Sequence, residues 1–300
     1  MTIGISPLVD FAFKLMLSSH GHERVTVHFL NSILGETAKL ASIVVQNPFV
    51  GPKFEDDKWI VLDILATDEH GRKYNIEMQT SLPAGLRQRL AFYDARLYVD
   101  QMREGDRYRE LRPAIVICVL TKPLLRESDQ LHTDFRFRSE TGQVLTDDLQ
   151  VHLLELTNLM IKRENLAAAT PIEKWAFFLM HAENLTMVDI RELFPEPEIV
   201  EAAGVLEVIK NTPEQMDNYI SRLKYQLDED ARMEAARTEG LSEGRSEGRL
   251  EGELIGRIET LQEILGVNEP TRKDLLDCDI AQLTDICEKL RQQLRLRNSV

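Results

Sequence analysis

A predicted β-hairpin between residues 59 and 79 constrains the fold of this chain more than any other stretch of its sequence. Residues 59–67 form an apolar run rich in branched side chains, which predicts one strand. The turn Asp68-Glu-His-Gly71 supplies a glycine for a positive φ, and residues 73–79 (Lys-Tyr-Asn-Ile-Glu-Met-Gln) form the returning strand. The hairpin therefore places two acidic residues, Asp63 and Glu77, in apolar surroundings.

The apolar neighbours of Asp63 indicate that its strand is buried on both faces, where an unpaired carboxylate is costly. A cation, a salt bridge or a bound proton must compensate that charge. Glu77 and Gln79 are two residues apart and share one face of the returning strand. If Asp63 lies on that face, two carboxylates and an amide oxygen converge, which suits a hard divalent ion such as Mg²⁺. The alternative is that each carboxylate pairs with an arginine or a backbone amide.

The segments around the hairpin predict a mixed α/β domain that ends near residue 165. Helical periodicity predicts two short helices between residues 6 and 34, which Gly35 terminates. An amphipathic helix is predicted over residues 86–109 because its apolar positions recur at helical spacing. Further strands are predicted at residues 41–48, 113–121, 135–138 and 151–156. This order of helices and strands is typical of a compact mixed domain.

The remainder of the chain is predicted to be helical, in two regions. Residues 166–235 carry helix breaks at Pro195, Pro197 and Pro213. Residues 236–300 begin with a Glu-Gly repeat, whose glycines recur every fourth residue from 240 to 256, and end in two helices separated at residues 266–270. A glycine inside a helix costs up to about 1 kcal/mol relative to alanine. The repeat is thus either a flexible linker or, as we favour, a helix that admits a second chain and supports a homo-oligomer. The apolar C-terminal helices after Ile258 are an equal alternative for that association.

The net charge differs between the two halves of the chain. There are 36 Lys and Arg residues against 50 Asp and Glu, a net charge of −14. Residues 1–165 carry 20 basic and 23 acidic side chains (−3), whereas residues 166–300 carry 16 and 27 (−11). DNA affinity depends mainly on Lys and Arg that neutralise phosphates. The acidity therefore weighs against nucleic-acid binding by the tail more than by the first half.

Composition also favours a cytoplasmic protein. Cys118, Cys278 and Cys287 are too few for a disulfide framework or a zinc quartet. No segment approaches the roughly 18–20 apolar residues that span a membrane. The N-terminal residues lack the basic start and the small-residue cleavage site of a signal peptide.

Several motifs together resemble the PD-(D/E)XK nuclease superfamily, and within it the branch of recombination-promoting nucleases (Rpn) and transposases. The motif Arg89-x-x-x-Tyr93-x-x-x-Leu97-Tyr98 and the Glu-Gly repeat contribute to this resemblance. The other matching segments are residues 6–14, 29–35, 47–48, 54–58, 62–68, 71–79 and 112–117. The resemblance implies a restriction-endonuclease-like mixed sheet flanked by helices, followed by an all-helical C-terminal region. Residues 1–165 would then be a nuclease-like domain.

The resemblance also implies roles for individual residues. Asp63 and Glu77, with the backbone carbonyl of Met78, would bind Mg²⁺ or Mn²⁺, and Asp10 would be an accessory acid. Gln79 stands where the family motif has a lysine, and a glutamine orients by hydrogen bonding without supplying charge. Lys73, on the same strand, would partly substitute. The implied activity is metal-dependent hydrolysis of DNA by an endonuclease; the alternative is a catalytically inactive protein that keeps the fold for DNA binding or assembly.

An arginine-rich segment after the hairpin is the candidate DNA contact. Arg89, Arg96 and Arg103 are spaced by seven residues and would lie on one stripe of the predicted helix, with Arg87 close by. Such a stripe can follow a phosphate backbone. The alternative is a solvated helix face, because acidic residues alternate with these arginines. Those acids are Asp94, Asp100, Glu104, Asp106 and Glu110.

Overall fold

The computed structural model describes residues 1–35, 39–46, 49–50, 60–61 and 64–297. Contacts divide the chain into two compact units, Met1–Leu227 and Asp228–Val300. The boundaries that the sequence suggests at residues 165 and 235 stay predictions.

A six-stranded mixed sheet forms the centre of the first unit. Its strands are β1 (Ile43–Gln46), β4 (Ile64–Asp68), β5 (Lys73–Gln79), β6 (Ala114–Leu120), β7 (His132–Arg138) and β8 (Val144–Glu155). They lie in the order β1-β4-β5-β6-β8-β7. The inner strands β5, β6 and β8 run parallel, whereas β1-β4, β4-β5 and β7-β8 are antiparallel pairs. A separate antiparallel pair consists of β2 (Phe49–Val50) and β3 (Ile60–Val61).

The predicted hairpin is confirmed in its described part. Ile64 pairs with Ile76, and the turn closes with Gly71 at a φ of +81°, a conformation that favours glycine. The carboxylate of Asp68 accepts hydrogen bonds of 2.9 Å from the backbone N–H groups of His70 and Arg72. This side chain therefore fixes the turn that sets the register of β4 against β5.

The central strand β6 is buried along its whole length, as its continuous apolar sequence predicts. One face, with Ile115, Ile117 and Val119, joins the main core, which the helices α1, α2, α4 and α6 cover. The other face packs beneath α3 through a smaller cluster that includes Cys118 and Leu90. The helices of this unit are α1 (Asp10–Ser18), α2 (Glu23–Leu34), α3 (Leu86–Val99), α4 (Pro171–His181), α5 (Met187–Leu193), α6 (Pro197–Asn211) and the first part of α7 (Pro213–Leu265).

Two predicted proline breaks are the first residues of helices, since α6 begins at Pro197 and α7 at Pro213. Proline suits a first helical turn because its missing N–H would have no helical partner there. The helices α4 and α5 begin with capping boxes, Thr170 with Glu173 and Thr186 with Asp189, and α4 also has a proline, Pro171, as its first residue.

The predicted helix over residues 86–109 is wrong in its second half, because α3 ends at Val99. The Asp106 carboxylate accepts a 2.7 Å hydrogen bond from the backbone N–H of Arg103, and Gly105 has a φ of +93°. Both features favour a turn over a helix. Arg103 consequently lies outside the stripe that Arg89 and Arg96 share.

The second unit consists of the rest of α7 with α8 (Arg272–Leu276) and α9 (Ile280–Arg297). The Glu-Gly repeat lies within α7, so the helix is the alternative that the structure supports. Described residues leave open space beside the helical glycines 240, 244, 248 and 252. The helices of this unit share a small apolar core, which includes Leu254, Ile258, Leu275, Leu283, Cys287 and Leu290. No helix in the described part of the chain is both long and apolar enough to cross a membrane.

Candidate active site

Glu77 is a buried acid in the middle of the sheet. It lies on β5 next to the buried strand β6, paired with Cys118, and only 3% of the residue is exposed. Its Oε1 atom accepts a 2.8 Å hydrogen bond from the side-chain amide of Asn75. Because alternate residues share a face, Asn75, Glu77 and Gln79 lie on the side of the sheet that α3 covers. The predicted common face of Glu77 and Gln79 is thereby confirmed.

Asn75 is the functional candidate that the sequence reasoning missed. It is completely buried, and its Oδ1 atom has no hydrogen-bond partner among the described residues. The signal was present in the sequence, since Asn75 precedes Glu77 by two residues and so shares its face. The amide nitrogen of Asn75 holds the Glu77 carboxylate, and the carboxylate and amide oxygens of this pair are of the hard type that suits Mg²⁺ or Mn²⁺.

Two further polar residues mark the ends of β5. Gln79, at its last position, is half-buried. Lys73, at its first position, donates a 2.9 Å hydrogen bond from Nζ to the Thr67 hydroxyl of β4. Lys73 shares the face of Glu77, but this contact directs its ammonium to the neighbouring strand.

Asp63 lies outside the described residues. It directly precedes Ile64, whose partner in the hairpin, Ile76, directly precedes Glu77. Met78, whose backbone carbonyl is a predicted ligand, pairs with Val119 of β6 and points its buried side chain into the main core. The metal-binding roles of Asp63, Glu77 and Met78 stay predictions.

Asp10 is the first residue of α1 and forms a 2.8 Å ion pair with Lys14. Within the described ranges, Asp10 and Glu77 share no direct hydrogen bond, and the accessory role of Asp10 stays a prediction. The same ranges contain no group of three or more His, Cys, Asp or Glu side chains arranged to hold a metal ion.

The three candidate DNA-binding arginines each have a local partner on or near α3. Arg87 donates a 2.8 Å hydrogen bond to the carbonyl of Leu124, and Arg96 donates one of 2.9 Å to Asp100. The Arg89 guanidinium lies 5.9 Å from the centre of the Tyr93 ring, a cation–π distance. These contacts restrain the three side chains without neutralising Arg87 or Arg89.

Asp94 is buried, whereas the alternative of a solvated helix face for α3 predicts an exposed acid. It is only 5% exposed, and burial raises the pKa of its carboxyl to about 8. The sequence reasoning grouped Asp94 with the exposed acids of the segment, although it follows the buried Leu90 by four residues and precedes the buried Leu97 by three, and so shares their face of the helix.

The mixed sheet flanked by helices, with a buried acid on its hairpin, defines the chain as an α/β protein with a restriction-endonuclease-like fold. The family described as PD-(D/E)XK nuclease family transposase matches residues 7–236, and the chain belongs to this family. Searches of curated proteins and of solved structures gave no match. The family assignment confirms the resemblance drawn from the motifs and supports a nuclease- or transposase-like function.

Proposed function

We propose that this protein is a metal-dependent DNA endonuclease that hydrolyses phosphodiester bonds, with its active site at the β4–β5 hairpin. The observation that carries the proposal is the buried carboxylate of Glu77 on the central hairpin of a nuclease-family fold. A carboxylate buried in a sheet is a group that a divalent cation binds favourably, and the nuclease-family context favours such a cation here.

The residues present fit such an ion. The proposed ligands are the carboxylates of Asp63 and Glu77 and the backbone carbonyl of Met78, to which we add the amide oxygen of Asn75. All are hard oxygen ligands of the kind that Mg²⁺ and Mn²⁺ prefer. The buried Oδ1 atom of Asn75, which lacks a partner among the described residues, supports its inclusion. When bound, the ion would polarise the scissile phosphate and lower the pKa of a water molecule.

The side chains around this site have distinct proposed tasks. Asn75 orients the Glu77 carboxylate through their hydrogen bond, and Gln79 orients the attacking water or a phosphate oxygen. Asp10 is proposed as an accessory acid. Arg87, Arg89 and Arg96 bind DNA phosphates along α3.

The absence of a lysine at Gln79 favours a second candidate, a catalytically inactive protein that binds DNA. A glutamine supplies hydrogen bonds but no positive charge to the developing phosphate charge. A plasmid-nicking assay separates the two candidates. We expect the wild type to nick supercoiled DNA in Mg²⁺ or Mn²⁺ and to be inactive in EDTA.

The plasmid-nicking assay also tests the proposed roles of Asp63 and Glu77. Asp63→Ala and Glu77→Ala should abolish nicking, whereas Glu140→Gln, at an exposed acid in the β7–β8 turn, should leave it unchanged. DNA binding without cleavage at any metal concentration would overturn the enzyme proposal in favour of the inactive candidate.

A further inference from the structure

A groove runs between α3 and the edge of the sheet formed by β7 and β8. It consists of two adjoining cavities of about 270 Å³ and 340 Å³, which share Ala91, Phe135 and Val151 in their walls. We call it the α3–β7 groove. Its further lining residues are Arg87, Leu90, Leu124, Leu125 and Leu153 in the first cavity and Asp94, Ala95, Arg136, Phe137, Arg138 and Leu149 in the second.

Asp94 is the acid in the lining of this groove, whose other charged lining residues are arginines. It is more than nine-tenths buried, and its Oδ1 atom has no hydrogen-bond partner in the part of the chain that the structure describes. Burial raises the pKa of its carboxyl to about 8, so the protonated form predominates at pH 7. A protonated carboxyl presents a donor and an acceptor side by side. It therefore matches a ligand edge that carries the complementary pair.

Aromatic side chains flank this acid. Phe135 and Phe137 of the edge strand β7 line the groove and are 44% and 52% exposed. Exposed phenylalanines beside a cavity offer faces on which a flat ring can stack. The shape and chemistry of the groove thus suit a planar ligand with a hydrogen-bonding edge.

The charges at the ends of the groove favour an anionic ligand over an amine. Arg87 lines the first cavity and Arg138 the second, and both side chains reach solvent. Arg136 forms ion pairs of 2.7 and 2.8 Å with Asp134 and Asp147, and Arg138 lies 4.0 Å from the same Asp134 carboxylate, at the limit of an ion pair. A phosphate at Arg87 or Arg138 would complement the groove electrostatically.

We propose that the α3–β7 groove binds a nucleotide of single-stranded DNA, with its base on Phe135 and Phe137, the polar edge of the base on Asp94, and its phosphates at Arg87 and Arg138. The inference rests on the proposed function, because it adds a base-binding site for the same substrate. The groove is separate from Glu77 in the sheet, since β6 lies between β5 and β8.

Fluorescence anisotropy of the full chain with a labelled single-stranded oligonucleotide tests this site, using a second oligonucleotide of equal length whose central nucleotides are abasic. Both carry the same phosphates, so their difference in affinity reports base contacts alone. We expect the wild type to bind the base-bearing strand about tenfold more tightly, as stacking of one base allows. The double variant Phe135→Ala/Phe137→Ala should lose that difference in affinity. The control is Phe92→Ala, because Phe92 is exposed and does not line the groove, and this variant should keep the difference.

Two substitutions at Asp94 separate hydrogen bonding from packing. Asp94→Asn retains a donor and an acceptor and should keep the discrimination. Asp94→Leu keeps the branched shape without them and should reduce the discrimination several-fold, with a thermal melt showing that the variant is folded. Equal wild-type affinity for the two strands, or full discrimination by Asp94→Leu, would overturn the inference.

The assay is run in EDTA, so its outcome does not depend on cleavage. A protein that fails to nick plasmid but discriminates the two strands would overturn the proposed nuclease function and leave the base site standing. A protein that nicks plasmid but binds both strands equally would overturn the proposed base site and leave the proposed nuclease function standing.

Discussion

The side-chain amide of Asn75 donates a 2.8 Å hydrogen bond to the carboxylate of Glu77, and both residues are buried on the same face of β5. This relationship holds the proposed catalytic acid in one orientation. Removing the amide should therefore weaken metal binding without unfolding the sheet.

We expect Asn75→Ala to raise the Mg²⁺ concentration for half-maximal nicking by about 10–100-fold, the usual cost of losing a partner of a metal ligand. The measurement is the nicking rate across a Mg²⁺ titration. Asn184→Ala, at an exposed position, is the matched control and should follow the wild-type curve. An unchanged Mg²⁺ dependence in Asn75→Ala would show that Asn75 has no part in the site.

Arg89 and Arg96 are expected to contact DNA phosphates from α3. Substituting glutamate at both positions should weaken DNA binding. It should also make the plot of the logarithm of the binding constant against the logarithm of the salt concentration less steep, by about one unit of slope for each lost phosphate contact. Arg103→Glu is the control, because Arg103 lies beyond the end of the helix. A slope equal to that of the wild type in the double variant would contradict the assignment.

Asp94 is expected to limit the stability of the fold at high pH. The pKa of its carboxyl is about 8 in the folded chain and near 3.8 when unfolded, so the folded state retains a proton that the unfolded state releases between these values. Stability therefore falls as pH rises through that window. Asp94→Leu should stabilise the protein by about 1–3 kcal/mol, the cost of an unsatisfied buried group. Thermal melts should show a larger gain at pH 8 than at pH 5; a gain independent of pH would contradict this account.

His132 and His152 are expected to make the fold sensitive to acid. Their rings stack with centres 5.2 Å apart and share a 2.9 Å hydrogen bond, and burial lowers the pKa of His152 to about 4. Between pH 6.5 and about 4 the unfolded state binds a proton that the folded state excludes, so stability falls as pH decreases through this range. His152→Gln should flatten this dependence in melts from pH 4.5 to 6.5. An equally steep curve would assign the acid sensitivity to other groups.

The sequence predicted those features of the fold that depend on neighbouring residues. The glycine turn at Gly71, the proline starts of α6 and α7 and the apolar run of β6 each follow from local backbone or burial rules. The end of α3 was missed because helical periodicity outweighed the turn signals at Gly105 and Asp106.

The features that sequence did not predict depend on contacts between distant segments. His132 meets His152 only because β7 pairs with β8, and strand register leaves no local signature of this contact. Asp94 differs, because helical spacing places it on the same face as the buried Leu90 and Leu97. Asn75 also differs, because the two-residue spacing that linked Glu77 to Gln79 applies equally to it.

The location of the divalent ion tests the central claim most directly. An anomalous difference map from a crystal grown with Mn²⁺ should contain a strong peak within about 2.5 Å of a carboxylate oxygen of Glu77, as expected for a directly bound hard cation. The same crystal should place an oxygen of Asp63 on that ion. Mn²⁺ bound elsewhere on the protein, with no peak at Glu77, would contradict the account.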